Sequence, residues 1–183
     1  MRLVLASTSP RRQELLRIAR IPFTVRPAHV DEQPLPGEAP EAYVLRLAEA
    51  KARASWQSGE ITLGADTLVT LDGLLLGKPT DAGDACRMLR LLSGRTHRVV
   101  TGICLYDGAQ IRTAAETTGV EFLDLTDNEI HTYVAGGEPL DKAGAYGIQG
   151  EASKFVRRID GCYFNVVGLP LATVYSFMRS ILR

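Results

Sequence analysis

The chain opens on a short apolar run, Leu3-Val4-Leu5-Ala6, that passes directly into Ser7-Thr8-Ser9-Pro10. Such a run reads as a buried strand. Ser9 can accept a hydrogen bond from a free amide of a following helix. Pro10 suits the first helical position, where its missing N–H is not needed. Leu15, Leu16, Ile18 and Ala19 then supply an apolar helix face. The order strand, tight polar turn, helix recurs in varied form along the chain. Alternating strands and helices build a sheet covered by helices, so a mixed α/β fold with inserted hairpins is expected.

Further elements follow from the same reasoning. Phe23 and Val25 alternate with Thr24 and predict a second short strand, whereas residues 31 to 40 hold three prolines and read as loop. A long helix is expected from about Glu41 to Trp56, with Tyr43, Val44, Leu47 and Ala48 on its apolar side. Leu63 is expected to end a strand that breaks at Gly64-Ala65-Asp66, before a hairpin from Leu68 to Leu76 turning at Asp72-Gly73. Ala82 to Leu92 reads as helix stopped by Gly94, and Val99 to Tyr106 and Ile111 to Leu123 as strands joined near Asp107-Gly108. Thr126 and Glu129 have the spacing of a reciprocal cap for a helix ending at Gly136-Gly137. A glycine-rich stretch, Leu140 to Gly150, precedes a strand around Phe155 to Ile159 and a loop to Pro170. The final helix carries Leu171, Val174, Tyr175, Met178 and Leu182 on one face. No repeat and no linker between autonomous domains is visible, so residues 1–183 are expected to form one domain.

Composition narrows the function. With 45% hydrophobic residues the chain can build a core. Its 21 basic and 21 acidic residues cancel, which argues against polymeric nucleic acid as a partner. Cys86, Cys104 and Cys162 are scattered without a CxxC pair, so neither a zinc knuckle nor a dithiol redox site is indicated. The first apolar run is too short for a signal peptide, and no run reaches membrane-spanning length. A cytoplasmic protein without a membrane partner is expected.

Several groups could carry chemistry. Ser7, Arg11 and Arg12 stand at the first strand-to-helix junction, where free amides attract phosphate and guanidinium forks hold its oxygens. The same residues also read as a capped helix with two solvated arginines. Asp66 in Gly64-Ala65-Asp66-Thr67 could hold an ion or polarise a water, or simply satisfy turn amides. Lys51 falls beside the apolar stripe of its helix and reaches either solvent or a polar cleft. Lys78 lies between a glycine and a proline. Gln149 has the donor and acceptor that a base edge requires, within a run whose glycines permit close ligand approach. Together with Glu32, these groups suit attack of water on a nucleotide's phosphate chain. That task needs neutralised phosphate oxygens, a positioned water and usually a divalent ion. His29, His97 and His131 lack metal-binding spacing and read as structural or surface residues.

The motifs Leu5 to Arg12, Leu63 to Thr67, Gly77-Lys78-Pro79, Leu92-Ser93-Gly94 with His97, Asp141 to Gly150, and Val166 to Leu171 occur in family-like order over nearly the whole chain. In this the sequence resembles the Maf family of nucleoside triphosphate pyrophosphatases, first described through septum formation. The resemblance implies a mixed α/β fold with two lobes around a nucleotide cleft, similar to the inosine triphosphate pyrophosphatases. It implies hydrolysis to monophosphate and pyrophosphate with Mg2+ or Mn2+, the ion's candidate ligands here being Glu32 and Asp66. Asp66 matches the family's proton acceptor. Ser7, Arg11, Arg12, Glu32, Lys51 and Lys78 match its polar cleft set. Arg12, Thr67 and Gln149 match positions tied to substrate choice. Ala145-Tyr146-Gly147-Ile148-Gln149-Gly150 resembles the branch acting on dTTP and UTP, which implies pyrimidine nucleoside triphosphates as partners and a house-cleaning role against non-standard nucleotides. A homodimer is common in the family. Cys162, where an acidic residue is usual, and Glu151-Ala152-Ser153 depart from the pattern and touch the substrate range rather than the catalytic set. Two other readings stand beside this one: a nucleotidyltransferase, and a non-catalytic nucleotide-binding regulator of septum formation.

Overall fold

In the computed structural model the described residues are 2–181, so Leu182, assigned above to the last helix, lies outside them. The order is β1 (Arg2–Leu5), α1 (Pro10–Ile18), β2 (Thr24–Val25), α2 (Pro40–Ser55), β3 (Glu60–Leu71), β4 (Leu74–Leu76), α3 (Ala82–Leu92), β5 (Thr96–Tyr106), β6 (Ile111–Phe122), α4 (Asp127–Ala135), β7 (Val156–Asp160), α5 (Tyr163–Val167) and α6 (Leu171–Ile181). The architecture is mixed α/β, a central sheet with surrounding helices. Among the described residues the strands run in the order β2-β1-β3-β5-β6-β7, with β4 paired to β3. No helix among them is long and apolar enough to cross a membrane.

The chain divides into two compact units. The first comprises Met1–Thr67, Thr101–Glu116 and Gly168–Arg183. Here β1 is parallel to β2 (Val4 beside Thr24) and to β3 (Leu5 beside Leu63). Parallel neighbours need long crossovers, which α1 and α2 supply. Leu3, Val4 and Leu5 are all buried, as the unbroken apolar run of a parallel strand requires. The expected break at Gly64 does not occur, because β3 continues unbroken from Glu60 to Leu71. Gly64 instead lets α2 lie against the strand: a Cβ there would stand 2.8 Å from the Ala52 amide nitrogen. Gly102 in β5 does the same, with its virtual Cβ 2.8 Å from the Leu45 nitrogen. Beneath this contact Ala48, Ala52 and Cys104 are fully buried, with Tyr106 and Ile111 packed against them. The single tryptophan, Trp56, closes α2. Its ring nitrogen donates to the Glu60 carbonyl at 3.1 Å, and its ring lies against Gly108 and 5.5 Å from the Tyr106 ring.

The second unit comprises Leu68–Val100 and Thr117–Val167. The hairpin turns at Asp72-Gly73, both with positive φ, and pairs Leu71 with Leu74. Thr126 and Glu129 form the reciprocal cap of α4 that their spacing predicts. Tyr133, Phe155, Phe122, Tyr146 and His97 make an aromatic core of edge-to-face contacts, with centroids 4.8 to 6.3 Å apart. The glycine-rich stretch is not a loose loop. A 3₁₀ turn at Glu138–Asp141 leads into it, a second at Ala143–Ala145 lies within it, and a third at Glu151–Phe155 follows it. The expected loop before Pro170 contains the short helix α5. Its Asn165 side chain is fully buried and donates to the Val99 carbonyl at 3.0 Å and to Thr118 Oγ1 at 2.9 Å, which holds that turn down.

Candidate active site

Two periodicities bring Lys51 and Asp66 together. Side chains two apart on a strand share a face, so Asp66 faces the side on which Gly64 meets α2. Side chains three apart on a helix share a face, so Lys51 follows Ala48 toward the same strand. Lys51 Nζ donates to Asp66 Oδ1 at 2.7 Å. Their side chains keep only 11% and 12% of their exposure. The same ammonium lies 2.6 Å from Glu32 Oε1, whose side chain is 54% exposed. Asp66 therefore lies inside β3 and not just after a strand. Its position is set by the strand register rather than by a turn.

Glu32 sits in the proline-rich segment before α2, and α2 ties that segment down. Tyr43 Oη donates to the Glu32 carbonyl at 2.9 Å. Arg46 donates to the Gln33 carbonyl at 3.1 Å and to both Glu38 oxygens at 2.6 and 2.7 Å. Arg46 holds the Glu38 carboxyl down at about 2, helped by the Leu35 amide. Burial, and then the charges of Asp66 and Glu32, push the Tyr43 phenol up to about 12. Sequence reading placed Tyr43 on an apolar stripe and gave Glu38 and Arg46 no role. The only signal for them was the eight-residue spacing of an acid and a base across a helix start.

Alternation along β3 turns Thr67 to the face opposite Asp66. There Arg12 gathers four acceptors: Ser7 Oγ at 3.2 Å, the Ala65 carbonyl at 3.0 Å, Thr67 Oγ1 at 3.0 Å and the Gly168 carbonyl at 2.8 Å. Thr67 Oγ1 also pairs with Thr101 Oγ1 at 2.9 Å. A guanidinium has five N–H donors, and these acceptors engage four of them. Burial lowers the pKa of Arg12; Asp66 and Glu32 oppose that shift and Arg11 adds to it. All four partners are neutral, which leaves the cation suited to an anion. Ser9 caps α1 with Pro10 in its first turn, as expected. Gly168 has φ +116, open to glycine alone at low cost, and is a partner of Arg12 that sequence reading missed.

The structure thus joins Ser7, Arg12 and Thr67 in one network and Glu32, Lys51 and Asp66 in another. Arg11 is half-buried beside Arg12 on α1. Lys78 and Gln149 belong to the second unit and are exposed. Among the described residues no three of His, Cys, Asp and Glu gather as a metal centre. Glu32 and Asp66 nonetheless offer two hard carboxylate donors at one ammonium. That set suits Mg2+ or Mn2+, which take one or two carboxylates and complete their shell with substrate phosphate and water.

The chain has close relatives. The sequence model described as Maf-like protein matches residues 2–181. A dTTP/UTP pyrophosphatase of Koribacter versatilis (strain Ellin345) is 53% identical over 98% of this chain and 94% of its own. Enzymes of the same description from Geobacter sp. (strain M21) and Syntrophomonas wolfei are 55% and 49% identical, over 98% and 95% of this chain and 95% and 94% of theirs. With a family match that runs from the first strand to the last helix, the chain belongs to the Maf-like protein family.

Proposed function

We propose that the chain is a metal-dependent nucleoside triphosphate pyrophosphatase that splits dTTP and UTP into the monophosphate and pyrophosphate. By acting on modified pyrimidine triphosphates as well, it would keep non-standard nucleotides from polymerases. The observation that carries the reading is the buried ammonium of Lys51 shared by Asp66 and Glu32, in a chain whose relatives are dTTP/UTP pyrophosphatases.

Asp66 orients a water toward the α-phosphorus and accepts its proton as the P–O bond forms. The bond from the α-phosphorus to the bridging oxygen breaks, and pyrophosphate leaves with that oxygen. Lys51 holds Asp66 in one rotamer through their 2.7 Å hydrogen bond. Arg11, Arg12 and Lys78 neutralise the phosphate oxygens, and the Ser7 hydroxyl helps orient them. A divalent ion held by Glu32 and Asp66 would add Lewis-acid stabilisation of phosphate charge. Arg12, Thr67 and Gln149 are assigned to substrate choice, Gln149 through its amide at the pyrimidine edge. On this reading residues 1–183 work as one Maf-like domain in the cytoplasm, as a homodimer.

Product analysis tests the reaction. Incubation with dTTP, UTP, CTP, purine triphosphates and 7-methyl-GTP, with Mg2+ or Mn2+, is expected to yield monophosphate and pyrophosphate fastest from dTTP and UTP. Orthophosphate as the first product, or no turnover of either pyrimidine, would overturn the proposal.

A further inference from the structure

We propose that Glu138 is a positioning residue for Gln149: together with the His97–Tyr146 hydrogen bond, its carboxylate fixes the backbone that presents the Gln149 amide and so governs the choice of base. The inference rests on the nucleotide reading above, in which Gln149 meets the base. Glu138 itself touches no substrate.

Gln149 is exposed, and among the described residues its side chain has no hydrogen-bond partner. An amide on a loose loop discriminates poorly, because ordering it at each binding event consumes the selectivity it provides. The backbone around Gln149 is, however, held on both sides. Three residues before it, Tyr146 is buried, and its hydroxyl pairs with His97 Nε2 at 2.8 Å. The Gly144 amide just upstream donates to the Gly77 carbonyl at 3.0 Å. Two residues after Gln149, the Glu151 amide donates to Glu138 Oε2 at 3.0 Å, while Tyr133 Oη donates to Glu138 Oε1 at 3.0 Å. Lys142 Nζ closes the same turn on the Glu138 carbonyl at 2.6 Å.

The glycines fit this clamp. A Cβ at Gly150 would stand 2.5 Å from the Glu138 carboxyl carbon, so the carboxylate occupies the space that a side chain would need. Gly150 has φ −99, outside the left-handed region, so the requirement for glycine there rests on space. Glu138 also directs its charge at a backbone amide and a phenol rather than at a basic side chain. A carboxylate used in this way sets the geometry of a turn.

The test is a kinetic cycle on the full chain. Rates with dTTP and dGTP are measured for the wild type, Glu138→Gln, Gly150→Ala, Gln149→Ala and the double variant Glu138→Gln/Gln149→Ala. Gln cannot accept both hydrogen bonds, and Gly150→Ala displaces the carboxylate without altering it. Each is expected to raise KM for dTTP about tenfold with kcat within about twofold, and to cut the dTTP preference by the same factor. The double variant is expected to match Gln149→Ala alone, since Glu138 acts only through that residue. Hydrogen exchange at the Glu151 amide is expected to speed up in Glu138→Gln. Unchanged selectivity in both Glu138→Gln and Gly150→Ala, or additive losses in the double variant, would overturn the inference and leave the pyrophosphatase reading standing. A wild type inactive on dTTP and UTP would overturn both. Gly150→Ala keeps the test available should Glu138→Gln fold poorly.

Discussion

Lys51 takes its place from two repeats acting at once, the helical one that carries it along with Ala48 and the strand one that carries Asp66 along with Gly64. The resulting ion pair is nearly dry, and on the proposed mechanism Asp66 is its working half. Asp66→Asn keeps the shape and removes the proton acceptor. Its kcat with dTTP is expected to fall at least about 100-fold, and its melting temperature to fall as well because the buried Lys51 loses a charged partner. A loss under about threefold, measured in the same assay, would take that role from Asp66. Asp66, Lys51 and Glu32 could be picked from the sequence as acid, base and acid, because each lies in or next to a recognisable element. Their grouping was not legible, since it depends on which way β3 turns successive side chains. Arg12 is the clearer case. The sequence presents it as a phosphate fork, yet most of its donors are taken by Ser7, Ala65, Thr67 and Gly168. The Gly168 carbonyl lies 156 positions away, and no local pattern points to it.

Elements were readable where their own chemistry ends them. Ser9 and Pro10 start α1, Thr126 and Glu129 start α4, and Asp72-Gly73 turns the hairpin, all through contacts within a few residues. The errors came where tertiary packing overrides local preference. Gly64 reads as a breaker, but it sits mid-strand because α2 needs the room. The segment from Ile159 to Pro170 reads as loop, but Asn165 anchors α5 through partners far along the chain. The packing account of Gly64 has a direct check. Gly64→Ala puts a methyl group against the Ala48 and Ala52 backbone, which cannot move aside as a flexible side chain would. Destabilisation of roughly 2 to 3 kcal/mol is expected in urea unfolding, as for overpacked cores. The same change at Gly73, which has open space around it, acts only through its positive φ and is expected to cost about 1 kcal/mol. Equal effects at the two sites would refute the close approach.

At the scale of the whole molecule, acid is the informative stress. Burial holds His97 neutral, with its pKa pushed down to about 4 from an ordinary 6.5. The unfolded chain therefore takes up a proton below pH 6.5 that the folded chain refuses, and stability falls as pH drops from 6.5 to 4. The loss is expected to reach about 3 kcal/mol. Glu38, held down at about 2 by Arg46, adds a second loss as pH falls from its ordinary 4.5 toward 2. Urea midpoints across this range are expected to drop in the wild type and to flatten between pH 6.5 and 4.5 in His97→Gln; a flat wild-type profile there would contradict the burial of a neutral imidazole. Trp56 adds a built-in instrument to such experiments. As the sole indole, packed on Tyr106 and Gly108 within the first unit, its fluorescence reports the unfolding of that unit and is blind to the second, whereas circular dichroism senses both. Comparing the two signals during denaturation turns one aromatic residue into a measure of cooperativity: superimposed curves mean that the interleaved chain melts as one body, and separated curves mean that it melts in two steps.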